Sequence, residues 1–180
     1  MSGHGVADAL GESFRRVTTI ELTRDIDRAL REWQPDVVFP VLHGPLGEDG
    51  AFQGLLEVLG YAYVGSGVTA SACAMDKVIA KHLFRVAGVP VAPDVVIERS
   101  EDQAAAAARA LRAIGSAVVV KPSRQGSAIG VGFAASQDEL AQRLGEAFRS
   151  TTGSWWSDWR SVARSRWRSS KMRRRRAHCP

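Results

Sequence analysis

The segment from Asp36 to Leu42 is apolar at every position after the first and leads directly into a glycine-rich loop, His43 to Gly50. A continuous apolar run predicts a strand that is covered on both faces, which is typical of parallel sheets packed between helices. A helix-like spacing of apolar residues precedes this run, in a helix that Asp25 is expected to cap, and a second short strand is predicted at 61–64. The first part of the chain is therefore predicted to be a doubly wound α/β unit with parallel strands.

A long helix is predicted over 69–86, and the segment 88–93 that follows contains two prolines around a short extended piece, as in a linker. Beyond it, the sequence predicts strands at 95–97 and 117–121 around an alanine-rich helix over 101–114. A last helix is expected to begin after Ser136, with Glu139 in the capping-box position. We therefore divide the body of the chain into domains 1–87 and 88–150.

The last thirty residues differ in kind from the body. Residues 151–180 hold nine basic residues and one acidic residue, which leaves 15 basic and 18 acidic residues in 1–150. No period of 2 or 3.6 organises the apolar residues of this segment, so it is interpreted as a disordered basic tail that builds no core of its own. Its tryptophans and arginines allow an alternative, in which it binds nucleic acid or an acidic surface. We consider this alternative the weaker one.

The composition and the first residues of the sequence predict the cellular compartment of the protein. The 180 residues contain no run of about 18 apolar residues, which predicts no transmembrane helix. The first residues lack a basic start followed by an apolar stretch, and Cys73 and Cys179 make no disulfide framework. We therefore expect a cytoplasmic protein without a membrane partner.

Two loops carry residues suited to chemistry. Residues 43–50 follow the carboxyl end of a buried strand, where ligands bind in open α/β sheets. His43 and Glu48 could hydrogen-bond each other there and orient a charged substrate. The alternative is an ordinary turn with a solvated acid. Lys121 ends a strand before the Gly/Ser-rich loop 122–132, in which backbone N–H groups can cradle an anion. The alternative interpretation of that loop is a plain β-hairpin. A third candidate is Lys77 in the predicted helix over 69–86, for which the alternative is a solvated charge on the helix surface.

Four stretches together resemble the D-alanine–D-alanine ligases of the ATP-grasp superfamily. They are FPVLHGPLGEDGAFQG (39–54), YVGSGVTASACAMDK (63–77), VAGVPVAP (86–93) and VVVKPSRQGSAIGVG (118–132). The resemblance covers nearly all of 1–150 in the family's order, and its most specific part is LHGxxGEDGxxQG. It implies a Rossmann-like pre-ATP-grasp domain, then the first part of an ATP-grasp domain.

The implied reaction joins two D-alanines for peptidoglycan precursors, through an acyl phosphate made with ATP and Mg²⁺ or Mn²⁺. By motif match, His43 and Glu48 lie near the first D-alanine, and Ser127 helps to orient substrate. Other residues match the ATP-binding positions of the family: Lys77, Lys121, Gly126 and Gly130. Gln125 and Ala128 depart from the family's more frequent Glu and Ser, which concerns details of loop closure. A homodimer is expected by analogy alone.

The resemblance also implies absences. Family members open with a strand and a glycine loop that we do not find here, and the metal ligands belong to a second half that 151–180 does not match. We expect this chain to be incomplete and inactive, which makes a non-catalytic remnant the alternative to a ligase. Tryptophan has the single codon TGG, so Trp155-Trp156 must be encoded TGGTGG. Moving the reading frame back one base then reads GTG, a valine codon, in place of Trp156. The tail is therefore interpreted as a frameshifted reading, which resequencing codons 145–165 would test.

Overall fold

A computed structural model of the chain describes residues 2–126, 129–149 and 159–164. These residues form two compact units, Met1–Ala80 and Lys81–Pro180, which are described separately below. The division falls within a helix, whereas the sequence places a domain boundary at 87/88, and that boundary stays a prediction. No helix in the described ranges is long and apolar enough to cross a membrane.

The first unit is mostly helical. Its core is formed by Ile26, Leu30, Phe52 and Leu56. Leu56, at the centre of this core, is completely buried. The helices are α1 (Ser2–Gly11), α2 (Ile26–Trp33), α3 (Ala51–Leu59), α4 (Val68–Met75) and the start of α5 (Lys77–Val86).

The predicted strands of this unit are only partly formed. Val38 and Tyr63 make one parallel bridge, in which the Val38 N–H donates to Ala62 O at 2.8 Å and the Val64 N–H donates to Val38 O at 2.9 Å. The parallel direction agrees with the prediction, but the described residues of this unit contain no longer ladder. Pro40 contributes to this outcome, because proline has no N–H to donate to a neighbouring strand. The predicted doubly wound sheet is therefore reduced to a single bridge here.

The predicted helix over 69–86 is two helices, α4 and α5, separated at Asp76. Asp76 has extended backbone angles (φ −85°, ψ 107°), and its carboxylate accepts hydrogen bonds from the N–H groups of Val78 at 2.9 Å and Ile79 at 3.3 Å. A side chain that bonds the first free N–H groups of a helix is an N-cap, so a new helix begins after Asp76. Asp25, which was expected to cap α2, makes no side-chain cap hydrogen bond.

The second unit is a four-stranded antiparallel sheet with two helices packed on it. Its strands are β1 (Asp94–Glu98), β2 (Val118–Pro122), β3 (Gly132–Ala134) and β4 (Trp159–Arg164), in the order β1-β4-β2-β3. The helices are α6 (Gln103–Ile114) and α7 (Gln137–Arg149). Ile97, Val118, Val120, Leu140 and Leu144, among others, form its core. The predicted helix and strand positions of this unit are confirmed to within a few residues.

Strand β4 departs from the expectation for the tail. It pairs with both β1 and β2, and Val162 stands opposite Val95 on one side and Val120 on the other. The Val162 side chain is completely buried in the core of the second unit. Residues 159–164 therefore add a central strand, although the tail has no apolar period of its own. The other tail residues lie outside the described ranges.

The start of β1 is tied to α5 across the linker. Asp94, whose side chain is only 3% exposed, lies 3.1 Å from Lys81 Nζ and also accepts a hydrogen bond from Arg85. Lys81 Nζ donates to Ala92 O at 2.8 Å as well. A buried carboxylate must be paired with cations or donors, and these two side chains meet that need. The proline-containing linker is thus anchored at its end.

Local capping fixes both helices of the second unit. Asp102 accepts from the Ala105 N–H at 2.8 Å, and Ser136 Oγ accepts from the Glu139 N–H at 3.2 Å. Glu139 in turn accepts from the Ala135 N–H at 2.8 Å, so the predicted capping box closes one residue earlier than in its usual form.

We expect the Asp102→Ala variant to lower the free energy of unfolding of the second unit by about 1 kcal/mol, because it removes an N-cap hydrogen bond. Asp102→Asn keeps the side-chain acceptor and is expected to retain most of the stability. Urea unfolding followed by hydrogen exchange of α6 amides measures both. Equal losses in the two variants would show that the charge of Asp102, and not its cap, carries the effect.

Candidate functional site

The loop at residues 43–50 is held by hydrogen bonds from its own acidic side chains. Glu48 Oε2 accepts from the Gly44 N–H at 2.5 Å, and the two carboxylate oxygens of Asp49 accept from the N–H groups of Leu46 at 2.9 Å and Ala51 at 3.1 Å. Carboxylates that accept backbone N–H bonds are the strong, charge-assisted kind of acceptor. The loop therefore has a defined shape, unlike a solvated turn.

His43 and Glu48 face each other at the surface of this loop. His43 Nδ1 lies 3.9 Å from Glu48 Oε1, and the side chains are 71% and 45% exposed. This separation is too long for a hydrogen bond, so the bond that sequence analysis considered between them is not formed. The two polar groups are near neighbours that remain accessible to a small charged molecule.

Two glycines allow the loop to pack against its surroundings. A Cβ at Gly47 would lie 2.3 Å from the Leu42 Cβ, and a Cβ at Gly50 would lie 2.6 Å from the Val68 carbonyl oxygen. Gly50 also has φ +92°, a conformation that side chains disfavour. The loop thus lies directly against the start of α4.

Gln53 supports the loop from within α3. Its side-chain Nε2 donates to Gly47 O at 3.0 Å, and the residue is 7% exposed. Gln53 is a supporting residue that the sequence analysis missed, although it lies inside the QG pair that ends the LHGxxGEDGxxQG stretch. Its position one helical turn after the loop is the feature that could have identified it.

Tyr63 lies beside the same region, in the predicted strand at 61–64. Its hydroxyl donates to Glu57 Oε1 at 2.7 Å, and this hydrogen bond to a carboxylate raises the pKa of Tyr63, with smaller contributions from burial and the Glu57 charge. The neutral, donating phenol is therefore the form that the structure favours.

Lys77 is the first residue of α5, directly after the cap at Asp76. Asp76 is 7% exposed, and its carboxylate fixes the beginning of the helix that carries Lys77. The sequence analysis identified Lys77 but placed it inside a continuous helix. An aspartate directly before an apolar-periodic stretch is the feature that could have located this cap.

Lys121 and its loop belong to the second unit. Lys121 is half-buried near the end of β2, and the loop after it returns through a turn in which the Ile129 N–H donates to Gly126 O at 3.2 Å. Gly130 has φ +67°, a left-handed conformation that glycine adopts easily. The structure thus confirms a strand–loop–strand arrangement, β2 to β3, around the predicted anion-binding segment. Ser127 and Ala128 lie outside the described residues.

Side chains that commonly bind metal ions do not form a cluster in the described part of the chain. Across 2–126, 129–149 and 159–164, no three or more His, Cys, Asp or Glu side chains come together in a way that could hold one. The acids of loop 43–50 are instead occupied with backbone N–H groups.

Comparisons with known proteins give consistent matches to one group of enzymes. A family model described as the D-ala D-ala ligase N-terminus matches residues 1–66, and one described as the D-ala D-ala ligase C-terminus matches residues 83–153. The D-alanine–D-alanine ligase of Desulforudis audaxviator is 46% identical over 147 residues, which cover 81% of this chain and 47% of that protein. D-alanine–D-alanine ligase A of Bradyrhizobium diazoefficiens is 50% identical over 117 residues, or 63% of this chain and 31% of that protein.

A solved structure shares the fold. The D-alanine–D-alanine ligase from Coxiella burnetii superposes with a TM-score of 0.64 at 34% identity, over 72% of this chain and 37% of that one. The chain spans about half the length of the Desulforudis relative, and less of the others. Strand β4 lies beyond residue 153, where the second family match ends.

Proposed function

Since the chain belongs to the D-alanine–D-alanine ligase family, we propose that it carries the portion of such a ligase that holds the first D-alanine and part of ATP. The observation that carries this proposal is the built loop at 43–50, which presents His43 and Glu48 side by side at an accessible surface. The complete reaction is proposed for a protein of the relatives' length.

D-alanine is a zwitterion, and the two exposed side chains are complementary to its charges. The Glu48 carboxylate attracts an ammonium group, and an imidazole N–H of His43 can donate to a carboxylate. Because Glu48 is already held by the Gly44 N–H, it need not be ordered when the amino acid binds. This supports a role in orienting the first substrate.

The second unit is proposed to hold nucleotide phosphates. Lys121 supplies a positive charge near the end of β2. The loop 122–132 has the Gly/Ser-rich sequence of loops whose backbone N–H groups cradle an anion. Lys77, Gly126, Ser127 and Gly130 are assigned to ATP by the family match, and Ser127 additionally to substrate orientation. Mg²⁺, when bound, would offset negative charge on the phosphates.

In the proposed reaction, a carboxylate oxygen of one D-alanine attacks the γ-phosphorus of ATP and releases ADP. The amine of a second D-alanine then attacks the acyl carbon, loses a proton and expels inorganic phosphate. The residues of this chain would bind and orient the reactants at the first step. No observation favours the alternative of a tail that binds nucleic acid, and it stays a prediction.

We expect the 180-residue chain to bind D-alanine more tightly than L-alanine. The two enantiomers place the methyl group on opposite sides of Cα, and a loop of defined shape accommodates one placement better than the other. Glu48→Gln is expected to weaken D-alanine binding roughly tenfold, since the acceptor is kept but the negative charge that strengthens a hydrogen bond from an ammonium group is lost. Titration followed by NMR measures both affinities. Glu32→Gln, which removes an exposed carboxylate paired with Arg28 on α2, is the matched control.

Equal affinity for D- and L-alanine, or unchanged D-alanine binding in Glu48→Gln, would contradict the proposed substrate site. Turnover is a separate measurement, made by coupled ADP release with D-alanine. Little or none is expected from the 180-residue chain, because it spans only about half the length of the Desulforudis ligase. ADP release at the rate of a full-length relative would overturn that expectation.

A further inference from the structure

Gln53 is a buried polar side chain whose amide nitrogen is hydrogen-bonded and whose amide oxygen is not. Its Nε2 donates to Gly47 O at 3.0 Å, while its Oε1 is buried and has no partner among the described residues. Reversing the amide would place two acceptor oxygens against each other, so the side chain has one sensible orientation. Burying an acceptor without a donor carries a free-energy penalty.

That penalty indicates what the side chain is needed for. An apolar side chain of similar size, such as methionine, would fill the same space without an unsatisfied oxygen. It would not, however, donate a hydrogen bond to the Gly47 carbonyl. The amide is thus the part of Gln53 that an apolar residue cannot replace.

The bond to Gly47 acts on the residue that follows it. Gly47 cannot shift toward Leu42, because even a Cβ has no room on that side. The next residue, Glu48, donates its N–H to Gly44 O at 3.0 Å and accepts the Gly44 N–H through its carboxylate. Gln53 therefore anchors the interior side of the peptide segment that presents Glu48 on its exposed side.

We propose that Gln53 is a positioning residue for the amino-acid-binding loop, acting through Gly47 on Glu48 and not by touching the substrate. This inference rests on the proposed function for its substrate, an α-amino acid zwitterion. It goes further in assigning the preorganisation of Glu48 to one hydrogen bond from α3. Loss of that bond lets the loop move and lowers affinity, while the core stays packed.

The decisive variant is Gln53→Met, which keeps the volume and removes both the donor and the unsatisfied oxygen. We expect D-alanine affinity to fall roughly 3- to 10-fold, the loss typical of one hydrogen bond. The urea midpoint is expected to change little, because the variant removes the unsatisfied Oε1 but also leaves the Gly47 carbonyl without its donor. Gln142→Met, a change at an exposed position of α7, is the control and should alter neither quantity. Loss of affinity and stability together would mean that Gln53 is only a structural residue.

A second variant tests the donor directly. In Gln53→Glu, the buried carboxyl can donate to Gly47 O only when it is protonated, and burial raises the pH at which it gains its proton. Affinity relative to the unmodified chain should therefore recover as the pH is lowered from 8 to 5, while Gln53→Met shows no recovery. If the ratio of the D-alanine affinities of Gln53→Glu and the unmodified chain does not change with pH, the role of the donor is overturned.

The loop itself provides a measurement that does not depend on D-alanine. Hydrogen exchange of the Gly44 and Glu48 amides should accelerate several-fold in Gln53→Met and remain unchanged in Gln142→Met. If the unmodified chain binds no D-alanine but this acceleration occurs, the proposed function fails and the positioning role stands. Unchanged exchange in Gln53→Met overturns the positioning role, whatever the binding result.

Discussion

Val162→Asp is expected to unfold the second unit or to lower its free energy of unfolding by at least about 4 kcal/mol. Val162 is completely buried between β1 and β2, and its replacement places a carboxyl group in an apolar core. Burying a fully enclosed valine contributes about 1.5–3 kcal/mol, and an unpaired buried charge adds a further penalty of several kcal/mol. Hydrogen exchange of the β1 and β2 amides measures the loss.

Ala163→Asp is the matched control on the same strand. Ala163 is only partly buried, and alternate residues of a strand point to opposite faces, so its substituent lies on the other side of the sheet from Val162. We expect a smaller loss from it. If the β1 and β2 amides exchange as slowly in Val162→Asp as in the unmodified chain, strand β4 does not form in solution.

This experiment also bears on the origin of the tail. Strand pairing uses main-chain N–H and C=O groups, which every residue except proline provides in full. A frameshifted segment can therefore join a sheet where one suitable apolar side chain meets the core, as Val162 does. The presence of β4 does not by itself require that residues 159–164 were selected for this position, so the reading-frame hypothesis and the strand are compatible.

The sequence predicted best those elements whose determinants are local. The capping box at Ser136 and Glu139 and the strand that ends near Lys121 depend on neighbouring residues, and both are present. Strand β4 could not be predicted, because its place is decided by β1 and β2, which lie far away in the sequence. The central position of a strand is a property of its partners more than of its own pattern.

Two other differences between the predicted and the observed elements have physical causes that apolar periodicity does not reveal. Apolar spacing continues across 69–86, but the Asp76 carboxylate competes for helix N–H groups and divides the segment. The run before His43 is as apolar as a central strand, yet Pro40 limits its pairing. In the candidate site, residue types indicated His43 and Glu48, whereas the support from Gln53 became visible only with the hydrogen bond to Gly47.

Gly50→Ala is expected to destabilise the first unit strongly and to weaken D-alanine binding. Its backbone has φ +92°, and a left-handed conformation costs an alanine about 1–2 kcal/mol. Its new Cβ would also lie 2.6 Å from the Val68 carbonyl oxygen, and such overpacking costs about 1–3 kcal/mol more. We expect a total loss of about 2–5 kcal/mol from the first unit, together with weaker D-alanine binding, because the loop must move away from α4.

Gly60→Ala separates these two costs. Gly60 ends α3 with φ +77°, but a Cβ there would have no neighbour within 4 Å, so only the backbone cost applies. Urea unfolding followed by hydrogen exchange of α2 and α3 amides compares the variants, and D-alanine titration should show a loss for Gly50→Ala alone. If both variants lose the same stability and keep the same affinity, the close approach of Gly50 to Val68 does not exist in solution, and the shape of the loop must be set elsewhere.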